Sequence, residues 1–209
     1  MKQIELNGIK LFVRDEQPHW DDLHVVNEVI TEDCYRIDPG WFKGNTIIDI
    51  GANIGAFCLQ VWKYGRTIAF EPEPHNFELL QMNVALNKAD VELHNQAVGK
   101  PGHTLIDDGS GHSQTNRLVG NEVGVVSLDS VKLDKCDLLK CDCEGGEYDI
   151  VQYTSDKTWK KIDRIIGEFH SWYWEADPER HKRMIKRLER FFKLSYYGFK
   201  NSNFVGVRK

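Results

Sequence analysis

The stretch TIIDIGANIGAF, residues 46–57, is the part of the chain that determines the fold class. It consists of a short apolar run that contains one acid, Asp49, and is followed directly by a glycine-containing segment. A strand that ends in a glycine-rich turn and continues into a helix leaves a row of backbone N–H groups at the positive end of the helix dipole. Such a loop is typical of cofactor sites in α/β proteins. The loop alone does not identify the cofactor.

The glycine spacing in this loop disfavours a dinucleotide. A dinucleotide site needs G-x-G-x-x-G, whereas this loop has Gly51 and Gly55, with Asn53 where a middle glycine is expected. Asparagine is among the non-glycine residues that best tolerate positive φ, so the tight turn is retained and a side-chain amide is added. A nicotinamide-dependent oxidoreductase therefore stays open as an alternative.

Two acids at neighbouring strand ends favour a cationic cofactor. Asp49 lies inside the strand, two positions before Gly51, where its charge would repel a diphosphate and attract a cation, directly or through the hydrogen bonds of the loop. Glu71 follows the next strand, in AFEPEP, where a carboxylate can accept hydrogen bonds from both ribose hydroxyls. S-adenosylmethionine carries an ammonium and a sulfonium and has no phosphate, so we predict this cofactor.

Short apolar runs separated by helical segments predict a parallel sheet that is covered on both faces. The runs are TIIDI, TIAF, VELHNQAV, CDLLKCD and RIIGEF. Helices are expected at about residues 55–62, then in PHNFELLQMNVALNK with a stripe of Phe77, Leu80, Val84 and Asn87. A further helix is expected after Asp177 as N-cap and Pro178, with one face formed by Met184, Ile185, Leu188, Phe191 and Phe192. The last residues, LSYYGFKNSNFVGVRK, predict an antiparallel hairpin at one edge of the sheet.

The first 43 residues predict an extension to this core. In IELNGIKLFV, Asn7-Gly8 between two β-prone runs predicts a hairpin with a type I′ turn. Residues from about Trp20 to Cys34 predict a covering helix, with apolar positions at Leu23, Val26, Val29 and Ile30. We therefore expect one domain over residues 1–209, with residues 1–43 as the extension and residues 44–209 as the core.

Composition limits the partners. The net charge is −5 and no basic stripe is present, which argues against nucleic acid as a partner. The five cysteines include no CxxC pair, and the start MKQIELNG has no apolar signal core, so we expect a cytoplasmic protein. No apolar stretch approaches the roughly 18 residues that a membrane-spanning helix needs.

A second group of polar residues lies in KCDCEGGEYD. Because strand side chains alternate, Lys140, Asp142 and Glu144 are expected on the face that binds ligands, and Cys141 and Cys143 on the opposite, helix-covered face. The cysteine spacing matches no closed zinc site, so we predict no metal centre. A magnesium ion held by Asp142 and Glu144 is left open.

The next strand end, IIGEFHSW, contains the candidate base. If the methyl group of the predicted cofactor is transferred to a hydroxyl, the hydroxyl proton must leave as the new bond forms, and His170 can accept a proton near neutral pH. Glu168 or Asp142 would orient the imidazole. Trp172 and Trp174 are candidates for stacking on a sugar. Residues 107–118 predict a loop over the pocket that carries four acceptor-binding candidates: His112, Ser113, Gln114 and Asn116.

The stretches TIIDIGANIGAFCLQVWKYGRTIAFEPEPHNFELLQMNVALNK, NQAVG and LLKCDCEGGEYDIV closely resemble the FkbM-type S-adenosylmethionine-dependent methyltransferases, over about residues 44–170. The resemblance implies an α/β, Rossmann-like class I methyltransferase fold, with a seven-stranded, mostly parallel sheet and an antiparallel C-terminal hairpin. It also implies O-methylation of a hydroxyl on a sugar or polyketide-like molecule. The cofactor residues on this basis are Asp49, Gly51, Ala52, Asn53, Gly55, Glu71, Pro72, Asn95, Gln96 and Ala97.

Three positions depart from the family pattern, without removing a charged group: Cys141 and Cys143 stand where aliphatic residues are usual, and Gly146 where alanine is common.

The predicted catalytic residues are His170, Asp142 and Glu144. The predicted partner is a small-molecule or glycan acceptor with a free hydroxyl. A cofactor-binding module without catalysis is the non-enzymatic alternative. The sequence does not identify the acceptor or the oligomeric state.

Overall fold

The computed structural model describes residues 1–14, 21–106, 121–170, 177–198 and 202–209, with the backbone alone for residues 21, 103–106 and 121. Its N-terminal hairpin consists of β1 (Lys2–Leu6) and β2 (Ile9–Val13). Asn7 and Gly8 both have positive φ, at 49° and 81°, as the predicted type I′ turn requires. The predicted hairpin is confirmed.

The main sheet has seven strands, as predicted. Along the chain, the central strands are β3 (Thr46–Ile50), β4 (Arg66–Phe70), β5 (Val91–His94), β9 (Cys136–Cys141) and β10 (Arg164–Glu168), followed by β11 (Phe192–Tyr197) and β12 (Asn203–Arg208). Their spatial order is β11-β12-β10-β9-β3-β4-β5. The central strands pair in parallel, and β12 runs antiparallel to both of its neighbours. The expected C-terminal hairpin is therefore present.

Side chains that alternate along the central strands divide the core between the two faces of the sheet. In β3, all of whose residues are buried, Ile48 and Ile50 belong to one apolar cluster and Ile47 to the other. The N-terminal hairpin contributes Leu11 and Val13 to the cluster that contains Ile47. Residues from the N-terminal extension thus complete one face of the core. The prediction of a single domain over the full chain stays a prediction.

VELHNQAV was expected to be one strand, and that prediction is wrong. Only β5 joins the main sheet, and Ala97–Val98 form β6 in a separate three-stranded sheet with β7 (Gly102–Ile106) and β8 (Asn121–Val126). The chain leaves the main sheet at Asn95, whose side-chain amide donates hydrogen bonds to the carbonyl oxygens of Glu71 and Pro72. The break therefore brings residues 95–97 next to the end of β4.

The helices that cover one side are α1 (Asp21–Ile30), α2 (Ala56–Val61) and α3 (Pro74–Leu86). In α1, the expected face is correct at Val26, Val29 and Ile30 but wrong at Leu23, which is 47% exposed. The helix ends before Cys34, and Trp20 lies outside the described residues. In α3, Leu80 and Val84 of the predicted stripe are buried, whereas Phe77 and Asn87 are only half-buried.

The remaining helices are α4 (Glu147–Tyr153), α5 (Asp156–Trp159) and α6 (Pro178–Leu188). Asp177 caps α6 as predicted, because its side chain accepts a hydrogen bond from the Arg180 N–H. The predicted helix was too long at its C-terminus: α6 ends at Leu188, and Phe192 begins strand β11. None of the described helices combines the length and the apolar character that crossing a bilayer requires.

Candidate active site

A pocket lies over the carboxyl ends of the central strands, where the loop after β3 meets the loops after β4, β9 and β10. Gly51 makes this convergence possible. It has φ of +78°, and a Cβ atom at this position would lie 1.9 Å from the carbonyl oxygen of Asp142. Only glycine allows the ends of β3 and β9 to approach so closely in this conformation. Asn53 also has positive φ, at 51°, as the sequence predicted.

Glu71 links the first two loops. Its Oε2 atom accepts a hydrogen bond of 2.7 Å from the Asn53 N–H, and its Oε1 atom accepts one of 2.9 Å from the Glu73 N–H. The side chain is 4% exposed and lines the pocket. Burial raises the pKa of Glu71 to about 7, although the two N–H donors act to lower it. Its charge therefore changes near neutral pH.

Asp49 lies beneath the loop and does not line the pocket. Its carboxylate is fully buried and pairs with Lys140, with 3.2 Å between Oδ1 and Nζ. The same ammonium donates a hydrogen bond of 2.5 Å to the carbonyl oxygen of Gly51. Burial lowers the pKa of Lys140, but the charges of Asp49 and Asp142 outweigh it and raise the pKa above its ordinary value. Lys140 is therefore an ammonium, and Asp49 acts on the loop through it.

Four charged side chains surround the candidate base at the other end of the pocket. The Nε2 atom of His170 lies 3.6 Å from Asp142 Oδ1 and 3.4 Å from Glu144 Oε2, and its Nδ1 atom lies 3.4 Å from Glu147 Oε1. Burial lowers the pKa of His170, but the hydrogen bond and charge of Glu147, with the charges of Asp142 and Glu144, raise it to about 10. Glu168, half-buried beside them, has a raised pKa because of its burial and the Asp142 charge.

The raised pKa of His170 bears on its predicted role as the base, which stays a prediction. A base poised near neutral pH was expected, whereas the surrounding carboxylates hold this side chain as an imidazolium at neutral pH. The residues that cause the shift are Asp142, Glu144 and Glu147, and Glu147 had no assigned role in the sequence analysis. Their proximity follows from the pairing of β9 with β10 and from the first turn of α4.

Tyr35 is a site residue that sequence reasoning missed. It follows α1, is buried, and its hydroxyl donates a hydrogen bond of 2.5 Å to Asp142 Oδ2. Its ring packs edge-on against Phe57, with centroids 5.6 Å apart. Nothing in the sequence around Tyr35 resembles a site motif, since its partner is 107 positions away. Only the fold reveals this contact.

The pocket contains most of the predicted site residues. It is lined by Gly51, Ala52, Asn53, Glu71, Pro72, Gln96, Ala97, Asp142, Glu144 and His170. Asp49, Gly55 and Asn95 are not part of its lining, and Asn95 instead fixes the chain before Gln96. The acceptor-binding candidates His112, Ser113, Gln114 and Asn116 lie outside the described residues, as do Trp172, Tyr173 and Trp174.

Cys141 and Cys143 lie on the same side, as predicted. Cys141 is buried in one apolar cluster of the core, and Cys143 is half-buried, packs against the same cluster and also lines the pocket. The group of side chains that the described residues bring together with metal-ligating spacing contains no cysteine. It consists of Asp142, Glu168 and His170.

The pocket lining contains more acidic than basic side chains. It includes two basic side chains, Lys140 and His170, and more acidic ones: Glu28, Glu71, Asp142, Glu144 and Glu168. Lys140 is already paired with Asp49. A ligand that carries positive charge gains attraction in this pocket, whereas a diphosphate meets repulsion.

Comparison with known proteins agrees with this geometry. The profile of the Methyltransferase FkbM domain matches residues 49–200. Methyltransferase 1 of Beauveria bassiana is 27% identical over an alignment length of 176, and the match covers 68% of this chain and 70% of that protein. The 31-O-demethyl-FK506 methyltransferase FkbM of Streptomyces tacrolimicus is 26% identical over an alignment length of 188, and the match covers 68% of this chain and 72% of that protein.

A solved structure shares the fold. The tRNA (uracil-54, C5)-methyltransferase of Pyrococcus abyssi, in complex with S-adenosyl-L-homocysteine, aligns with a TM-score of 0.52 and 14% identity. The alignment covers 99% of this chain and 43% of that chain, so this chain corresponds to less than half of the archaeal protein. At this identity the similarity concerns the fold.

Proposed function

The chain belongs to the FkbM methyltransferase family and is therefore a methyltransferase, and we propose that it uses S-adenosylmethionine to methylate a hydroxyl group of a sugar or glycan. The observation that carries the proposal is the position of Glu71. This buried carboxylate is held by the N–H groups of Asn53 and Glu73 and lines the same pocket as the glycine loop. A carboxylate at this strand end suits the two hydroxyls of a ribose.

The donor set of the pocket fits the cofactor. Glu71 would bind the ribose, the loop at Gly51 and Asn53 would hold the methionine end, and Gln96 and Ala97 would lie beside the adenine. When bound, this cofactor supplies a methyl group activated by a positively charged sulfur. The acidic lining of the pocket favours that charge. The Asp49–Lys140 pair supports the loop from below through the Gly51 carbonyl.

The acceptor would occupy the other end of the pocket, near Asp142, Glu144, Glu168 and His170. As the acceptor oxygen bonds to the methyl carbon, its proton must pass to the protein, and the electron pair of the broken carbon–sulfur bond stays on sulfur. Glu144, a carboxylate in the pocket lining 3.4 Å from His170, can take that proton. The predicted role of His170 as the base requires that a bound cation first lowers its raised pKa.

Two further observations support the acceptor class. The Streptomyces tacrolimicus relative is described as acting on an O-demethyl compound, which favours oxygen as the methylated atom. The acidic side chains of the pocket would repel a phosphate-rich acceptor, so the proposal excludes nucleic acid.

A cytoplasmic location is part of the same proposal, since all five cysteines are free thiols, as expected in a reducing compartment.

The proposal is tested by incubating the purified protein with isotopically methyl-labelled S-adenosylmethionine and a set of sugars, glycans and small alcohols. We expect mass spectrometry to find labelled methyl ethers at hydroxyl oxygens. Glu71→Gln should slow labelling by at least about tenfold at low cofactor concentration, and Glu179→Gln, on the exposed face of α6, should leave it unchanged. Transfer to nitrogen or carbon alone, or binding of the cofactor without any transfer, would contradict the proposal.

A further inference from the structure

We propose that Asp142, Glu168 and His170 form a binding site for a divalent cation, and that Mn²⁺ is the ion that suits it best. One ligand atom from each of these residues lies within 4.8 Å of the others. Asp142 follows β9, and Glu168 and His170 lie at the end of the adjacent parallel strand β10. The pairing of these strands brings the three side chains together at the acceptor end of the pocket.

The distances within the group suit one ion. Neighbouring ligands of an octahedral ion with bonds of about 2.2 Å lie about 3.1 Å apart. The Nε2 atom of His170 and the Oδ1 atom of Asp142 are 3.6 Å apart. All the separations in the group are within 4.8 Å, and Asp142 and Glu168 are half-buried rather than fully buried.

The residues behind the group orient its ligand atoms. The Tyr35 hydroxyl donates to Asp142 Oδ2, so that the Oδ1 atom is the one directed at His170. Glu147 lies 3.4 Å from His170 Nδ1, on the far side of the ring from Nε2, which lies near Asp142. Glu147 itself is held by the Cys143 N–H, at 2.7 Å. A carboxylate behind the far nitrogen of a histidine is the arrangement that positions metal-binding histidines in proteins.

The charge around the group favours a divalent ion. Asp142, Glu144 and Glu147 all lie within 3.6 Å of the His170 ring nitrogens, and Glu168 and Glu28 line the same pocket. Carboxylates brought this close repel one another, and a single imidazolium offsets only part of that repulsion. A divalent cation would displace the His170 proton to solvent, because only a neutral imidazole can ligate a metal, and the exchange would still leave one more positive charge at the same place.

The donor types point to the class of the ion. Two carboxylates and one imidazole form a mixed set in which the oxygen donors suit Mn²⁺ and the nitrogen donor is one that all-oxygen magnesium sites lack, so we take Mn²⁺ as the ion to test. Binding of the ion does not depend on the proposed function. Only the catalytic use of the ion rests on the proposed function. In that use, the ion would bind the acceptor hydroxyl and lower the pKa of that hydroxyl. Glu144 would accept the proton, and His170 would serve as a ligand.

The test uses the full chain after treatment with a chelator. Mn²⁺ is added without cofactor or acceptor, and binding is followed by electron paramagnetic resonance and calorimetry. We expect one bound ion per chain and a pulsed-resonance signal from an imidazole nitrogen coupled to Mn²⁺. Glu168→Gln and His170→Gln should each weaken binding by at least about tenfold, whereas Glu179→Gln should bind as the wild type does.

The wild-type measurement is decisive even if a variant does not fold. No bound Mn²⁺, or bound Mn²⁺ without nitrogen coupling, would overturn the proposal. Equal affinity in folded Glu168→Gln would also overturn it. Binding of S-adenosylhomocysteine, measured on the same sample, distinguishes failure of the metal site from failure of the proposed function. If S-adenosylhomocysteine binds and Mn²⁺ does not, only the metal site is refuted. If Mn²⁺ binds and S-adenosylhomocysteine does not, only the proposed function is refuted.

Discussion

The two ends of the pocket are built in opposite ways. At the cofactor end, a short contiguous loop turns on Gly51 and Asn53, and backbone N–H groups meet a single carboxylate, Glu71. At the acceptor end, side chains from distant parts of the chain converge, with Tyr35 bonded to Asp142 and Asp142 beside His170. The first end depends on backbone conformation and the second on the pairing of strands. The two ends should therefore respond differently to substitution.

Gly51→Ala should have the largest effect, because this residue joins the two ends. Its added Cβ atom would lie 1.9 Å from the Asp142 carbonyl oxygen, in a backbone conformation that already disfavours side chains. We expect a loss of more than about 4 kcal/mol in the free energy of unfolding, measured in urea. Gly8→Ala is the matched control, since φ is +81° and nothing lies within 4 Å. It should lose about 1 kcal/mol. Equal losses would contradict the account of the convergence.

Substitutions in the buried Asp49–Lys140 pair beneath the loop should have the second-largest effect on stability. Asp49→Asn leaves the Lys140 ammonium buried without its partner, so we expect a loss of about 3 kcal/mol in the free energy of unfolding. The double variant Asp49→Leu, Lys140→Met should recover much of that loss, since it removes both charges. Urea unfolding checks both. A double variant less stable than Asp49→Asn would show that Lys140 acts mainly on the Gly51 carbonyl.

The pH dependence of cofactor binding should sharpen the comparison further. Because the pKa of Glu71 is raised to about 7, its carboxyl group is mostly protonated at pH 6 and mostly ionised at pH 8. If the ionised form binds the ribose, the affinity for S-adenosylhomocysteine should rise with pH, roughly tenfold over this interval. Calorimetry at several pH values measures it. The rise should be absent in Glu71→Gln, and an equal rise in that variant would assign it to another group.

Tyr35→Phe should have the smallest effect and should act at the acceptor end alone. It removes the hydroxyl that orients Asp142 but keeps the ring that packs against Phe57. We expect a loss of about 1 kcal/mol in stability and slower methyl transfer with unchanged affinity for S-adenosylhomocysteine. Turnover of labelled methyl groups, with calorimetry on the same variant, distinguishes the two ends. Weakened cofactor binding would mean that they are coupled.

The sequence predicted the fold because the fold depends on local patterns. Wholly apolar runs such as Thr46–Ile50 predicted buried parallel strands, and Asn7-Gly8 predicted the hairpin turn. Errors arose where tertiary contacts override those patterns. Asn95 turns the chain out of the main sheet by bonding to the end of β4, and Phe192 joins β11 instead of extending α6. Leu23 follows the helical period, but the structure leaves it exposed.

The candidate site was predictable to different degrees at its two ends. Gly51, Asn53 and Glu71 belong to one strand–loop–helix–strand unit, so their spacing alone brings them into one pocket. The contact of Tyr35 with Asp142 joins residues far apart in sequence and has no local signature. The raised pKa of His170 depends on Glu147, whose distance from the ring no sequence pattern reports.

The central claim is that this pocket binds S-adenosylmethionine and its demethylated product, S-adenosylhomocysteine, and not a diphosphate cofactor. Calorimetric titration of the wild-type protein with S-adenosylhomocysteine and, under the same conditions, with NAD⁺ tests it most directly. The account predicts one binding site for S-adenosylhomocysteine and no measurable binding of NAD⁺. Binding of NAD⁺ without binding of S-adenosylhomocysteine would contradict it.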